Sequence, residues 1–94
     1  INLSRNSFEE KEDEIEKFVE ILKKSSLQNL NLAYCNFTNT TAKLFAQLLE
    51  ENTTNLIFLS FEANQIELEG LLFLYAGFMS SNLCEMHIEN NLYD

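Results

Sequence analysis

The sequence predicts an α/β fold in which short strands alternate with helices and successive strand–helix units stack into one solenoid. Two observations carry that prediction. Four segments, residues 1–8, 27–37, 56–66 and 83–93, share the columns L-x-x-L-x-L-x-x-(N/C)-x-apolar, the first in shortened form. The Asn/Cys column falls at Asn6, Cys35, Asn64 and Asn91, in steps of 29, 29 and 27 residues. Between these segments, apolar residues recur at helical spacing.

Each element has a local reason. In L-x-L the two apolar side chains share one face of an extended segment, because strand side chains alternate. This places strands near residues 1–4, 28–33, 57–62 and 84–89. The next column marks a sharp bend, where the backbone leaves the ladder and needs new hydrogen-bond partners. An amide donates and accepts at once, so Asn6, Asn64 and Asn91 are expected to form a bend ladder. Cys35 is a small, weak donor that substitutes in that column, which makes it a structural rather than a reactive thiol.

The first helix is marked by Ile15, Phe18, Val19 and Leu22 at i, i+3, i+4, i+7. Ser7 with Glu10 fits a capping box near its start, although the spacing also admits a start a few residues later. Asp13–Lys17 and Glu20–Lys24 are candidate i,i+4 pairs, and the charged run from Glu9 to Lys24 reads as a solvated helix face. Leu44, Phe45, Leu48 and Leu49 form the stripe of the second helix, with Ala46 for close packing. Leu71, Leu74, Tyr75 and Phe78 form that of the third, preceded by Gly70. One such unit cannot bury its apolar face alone, and stacking makes a continuous core.

Composition bounds the function. Ninety-four residues suffice for one small domain, so residues 1–94 are read as a single segment of three to four repeats. An apolar fraction of 46% is too high for a disordered acidic tail. No apolar run reaches the ~18 residues of a membrane span, and no basic leader with an apolar core opens the chain. The formal charge is −9, and an acid excess of that size argues against binding nucleic-acid backbones. Residues 1–43 hold 7 acids and all 6 bases, whereas residues 44–94 hold 8 acids and no Lys or Arg. Two cysteines without C-x-x-C spacing and one histidine suggest neither a disulfide scaffold nor a metal site. They favour free thiols in a reducing compartment. Three sequons, at Asn36, Asn39 and Asn52, are the opposing cue for secretion.

Units of 27 to 29 residues with a helix after each strand resemble the ribonuclease-inhibitor-like class of leucine-rich repeats. That family continues after the bend with Gly, then Leu-Ala, Leu and Asn. Phe45-Ala46, Leu49 and Asn52 stand at the later positions, with Thr41 in place of the Gly. Gly70 and Leu74 match in the following unit, while Tyr75 and Phe78 depart. The first helix departs most, being long and charged. The resemblance implies a leucine-rich-repeat solenoid segment with a short parallel β-sheet on a concave face and α-helices on a convex face. Because the chain opens in one strand and closes just past another, it is expected to belong to a longer solenoid, or to have its ends covered by neighbouring chains.

The outward strand positions are then the default binding surface. They are Asn2, Ser4 and Arg5; Gln28, Asn29, Asn31, Ala33 and Tyr34; Ile57, Phe58, Ser60, Glu62 and Ala63; and Cys84, Glu85, His87, Glu89 and Asn90. Ile57 and Phe58 are apolar where polar residues would serve. Either one tucks against a neighbouring edge, or they anchor a partner. Glu62, Glu85 and Glu89 are either a solvated face or a complement to a basic partner. His87 is expected to be exposed, with flanking acids that raise its pKa.

The expected binding set is Tyr34, Ile57, Phe58, Glu62, Glu85, His87 and Glu89. No Gly-rich phosphate loop or nucleophile elbow is present, and Cys84 and His87 lack an orienting third residue. The expectation is therefore no enzyme, no cofactor, no metal, no nucleic acid and no membrane. It is a scaffold or adaptor in a larger cytoplasmic, cytoskeletal or axonemal (ciliary) assembly, engaging protein partners with basic surfaces. The alternative is a fragment of a regulatory protein, such as a small-GTPase activator or an actin-capping regulator.

Overall fold

In the computed structural model, the described residues are 1–6 and 12–92. Three helices alternate with three strands: α1 (Glu12–Lys23), β1 (Asn29–Asn31), α2 (Asn39–Glu51), β2 (Phe58–Ser60), α3 (Leu68–Met79) and β3 (Glu85–His87). The strands form one parallel sheet in the order β1-β2-β3. Asn29 pairs with Phe58, 29 positions on, and Phe58 with Glu85, 27 positions on. These are the steps of the Asn/Cys column, so neighbours in the sheet are equivalent positions of successive units.

The same equivalence recurs in small turns. Asn2 and Asn31 Oδ1 accept the Ser4 and Ala33 N–H groups, and Ser60 Oγ accepts that of Glu62. Ahead of the strands, Ser25, Thr54 and Ser81 hydroxyls accept the N–H groups of Leu27, Leu56 and Leu83. Short polar side chains of this kind mimic a backbone turn and set the direction in which each strand starts.

Leu30, Leu59 and Met86 lie side by side and turn toward the helices. Leu32 and Phe61 extend that row, and Phe45 of α2 meets Phe61 edge-on with ring centroids 5.0 Å apart. Burial of these side chains is the main stabilising term, and each edge-to-face ring pair adds about 0.5–1.5 kcal/mol. α2 and α3 approach closely because Gly70 and Gly77 face Ala42 and Ala46. A Cβ at Gly77 would lie 2.8 Å from the Ala46 carbonyl oxygen.

Several expectations are corrected. The strand expected near residues 1–4 is a single bridge, Asn2 to Asn31. It is extended by the Leu3 and Arg5 N–H groups donating to Asn31 and Ala33. The three strands are also shorter than expected, since the bend follows within a few residues. Ala33 and Ser60, read as outward, are buried, Ala33 by the turn that follows it and Ser60 within the central strand. Tyr75, read as part of the α3 core stripe, is 54% exposed, because the inward face of α3 narrows to Gly70, Leu74 and Gly77. Glu20 pairs with Lys23, at 3.0 Å, rather than with Lys24. Lys23 also reaches Glu51 of α2, at 2.8 Å, and that second acid draws it across. The Ser7–Glu10 box and the last apolar column position, Tyr93, lie outside the described residues.

Candidate functional site

The bends hold the candidate face in shape. Asn64 is buried, and its Oδ1 accepts the N–H groups of Cys35 and Phe37, each at 2.9 Å. Its Nδ2 donates back to Leu32, at 2.8 Å, and to Phe61 and Glu62 of its own unit. Asn91 repeats this one unit on, accepting from Ile66 and donating to Phe61, Ile88 and Glu89. Asn6 donates to Leu3 and Ser4. Cys35 is fully buried and its thiol donates to Leu3 and Ala33 carbonyls. Burial pushes the thiol pKa up, against the opposing effect of Asn6 and Arg5 backbone groups.

One feature of the bends gave no signal in the sequence. The residue before each column position, Arg5, Tyr34, Ala63 and Asn90, has φ between 57° and 62°. Only Asn among these types favours the left-handed region. The conformation is imposed by the bend, and it turns the strand-lined face into the loops beyond it.

On that face, Phe58 of β2 is half-buried, with its ring 5.3 Å from that of His87 on β3. His87 Nε2 lies 2.5 Å from Glu85 Oε2, and Nδ1 lies 3.4 Å from Glu89 Oε2. Each ring nitrogen therefore faces a carboxylate, an arrangement satisfied in full only by the imidazolium. The Glu85 hydrogen bond, with help from Glu89 and against slight desolvation, raises the His87 pKa. Phe58 of β2, Glu85 and His87 of β3, and Glu89 just past β3 thus form one cluster.

Tyr34 stands apart from that cluster, 46% exposed beneath the Arg5 guanidinium, which sits 4.3 Å from the ring centre. This cation–π contact was not foreseen, because residues 5 and 34 meet only once the repeat steps are superposed. Ile57 is 42% exposed, and its carbonyl accepts the Cys84 and Glu85 N–H groups, fixing where β3 begins. Glu62 is half-buried at the bend, and its carbonyl accepts the Tyr34 N–H.

The three sequon asparagines have structural roles. Asn36 accepts from Gln65, Asn39 bonds Glu67 through both ends of its amide, and Asn52 accepts the Asn82 N–H. Both cysteines are free, Cys35 buried and Cys84 exposed. Among the described residues no group of three His, Cys, Asp or Glu side chains is placed to hold a metal, and no helix is long and apolar enough to cross a membrane. No protein-family model matches the chain, and no curated protein matches it.

Proposed function

We propose that the chain is a protein-binding module, a segment of leucine-rich-repeat type, whose strand-lined face receives a partner that brings Lys or Arg to the β2–β3 half. The observation that carries this reading is the Phe58–His87–Glu85–Glu89 cluster. It sets an aromatic ring beside carboxylates on adjacent strands. A Lys or Arg side chain suits such a surface, since its stem covers the ring and its head meets the acids. No Lys or Arg occurs from residue 44 onward, so the one base of that half is His87, which two carboxylates share. The strand registers, which advance by the repeat steps, support the repeat assignment.

The setting we propose is a scaffold or adaptor within a larger cytoplasmic or cytoskeletal assembly, in keeping with two free thiols. Isothermal titration with a Lys/Arg-rich peptide tests the binding face. Phe58→Ala is expected to weaken binding by more than fivefold. Glu85→Gln and Glu89→Gln are expected to weaken it about two- to fivefold each. Unchanged affinity in all three variants would overturn the proposal.

A further inference from the structure

His87 already occupies the place that a partner's Lys or Arg would take. Its ring lies 5.3 Å from the Phe58 ring, inclined at 44°, and its two nitrogens face Glu85 and Glu89. A basic side chain from outside needs the same ring and the same acids. The His87 side chain is 36% exposed and those of Glu85 and Glu89 are 60% and 58% exposed, so one base can replace another without any opening of the core.

The two contacts of His87 are unequal, and protonation decides how many of them hold. The imidazolium carries a proton on each nitrogen and donates to both carboxylates, whereas the neutral ring carries one proton. Nε2 lies 2.5 Å from Glu85 and Nδ1 lies 3.4 Å from Glu89, so the remaining proton stays with the shorter contact. Nδ1 then turns a lone pair toward the Glu89 carboxylate, and the two repel. Glu89 is therefore the acid set free when the ring loses its charge. Across the sheet, His87 meets Phe58 and its register partner Ser60, neither of them charged. Among the described residues, the charges acting on the ring are Glu85 first and Glu89 after it, and they raise its pKa from 6.5 toward neutral pH.

We infer that His87 gates the basic-partner site: as imidazolium it stands in for the partner's Lys or Arg on Phe58, Glu85 and Glu89, and as neutral imidazole it yields Glu89 to the partner. The inference rests on the reading of this face as a site for basic side chains. Affinity for such a partner then rises with pH through the His87 titration. By reciprocity, a bound partner lowers the pH at which the ring titrates.

Isothermal titration with an Arg-rich peptide of capped ends tests it at about pH 6.0 and about pH 8.5, since guanidinium keeps its charge across that range. Physiological salt screens longer-range effects of the ring charge. Wild-type affinity is expected to be about fivefold higher at the upper pH, as one freed surface carboxylate would give. His87→Gln should bind more tightly than wild type at the lower pH and change by less than about twofold between the two. Glu89→Gln keeps a titrating His87 but has no acid to release, so its pH step should also shrink below about twofold. A wild-type affinity flat with pH, or a step kept in full by His87→Gln or Glu89→Gln, would overturn the gate and leave the basic-partner reading in place. Absence of binding at both pH values, in wild type and in His87→Gln alike, would instead overturn that reading and the gate with it.

Discussion

Asn64 holds the backbone of Cys35 across 29 residues of sequence, accepting its N–H at 2.9 Å while donating to Leu32 at 2.8 Å. Through one side chain the bend of each unit is cast against the bend before it. The shape of the strand-lined face depends on this contact, because Tyr34 and Ala33 lie immediately before Cys35.

Removing that amide leaves buried N–H groups at Cys35 and Phe37 without their acceptor. Each such group costs about 1–3 kcal/mol. Asn64→Ala should therefore lose roughly 3 kcal/mol or more, a large share of the stability of a domain this small. Asn6→Ala, exposed and, among the described residues, donating two bonds within its own turn, should lose less than about 1 kcal/mol. Urea denaturation of both variants measures the contrast.

Ala63 carries φ of 57°, where a Cβ costs about 1–2 kcal/mol. Ala63→Gly should raise stability by about 0.5–1 kcal/mol, the relief exceeding the added entropy of the unfolded chain. Ala63→Val should lower it by about 1–2 kcal/mol, because a β-branched side chain resists that region more strongly. Thermal melts of the two variants should move in opposite directions.

Gly77 shows the reverse balance. Alanine would gain about 1 kcal/mol of helix propensity. Its methyl would press on the Ala46 backbone, with the carbonyl oxygen at 2.8 Å and the Cα at 3.2 Å, and backbone does not swing aside. Gly77→Ala should be destabilising by a net of about 1–2 kcal/mol. An unchanged or raised denaturation midpoint would show that α2 and α3 separate more easily than their packing indicates.

The pKa of His87 is raised in the folded state by Glu85 first and Glu89 after it. The sign follows from linkage: the contribution is fully present below the unfolded value of 6.5 and is lost as pH rises through the folded value. The cluster is exposed, so the effect on stability is small and falls with salt. Histidine ring resonances should titrate above pH 6.5, and Glu85→Gln should move the midpoint down.

The repeat was legible because its columns are chemical. Leu30, Leu59 and Met86 fall in register as the L-x-L spacing requires, and the helical stripes of α1 and α2 face the core. Other features were hidden for physical reasons. Tyr75 matches helical spacing as well as Leu74 does, and only the close approach at Gly70 and Gly77 shows which of them turns outward. The left-handed residues Arg5, Tyr34 and Ala63 are types that carry no such preference, so the bend and not the residue decides their conformation. The Phe58–His87 contact needed the register of β2 on β3, whereas the acids around His87 were visible as neighbours in sequence.

The central claim is that the β2–β3 half of the strand-lined face takes up basic side chains. Amide and ring chemical-shift mapping of the labelled protein during titration with a Lys/Arg-rich peptide tests it most directly, run at low and at physiological salt. The account predicts shifts concentrated at Phe58, Glu62, Glu85, His87 and Glu89, with affinity falling several-fold as salt rises. Shifts absent from these residues, or gathered instead on the helices, would contradict it.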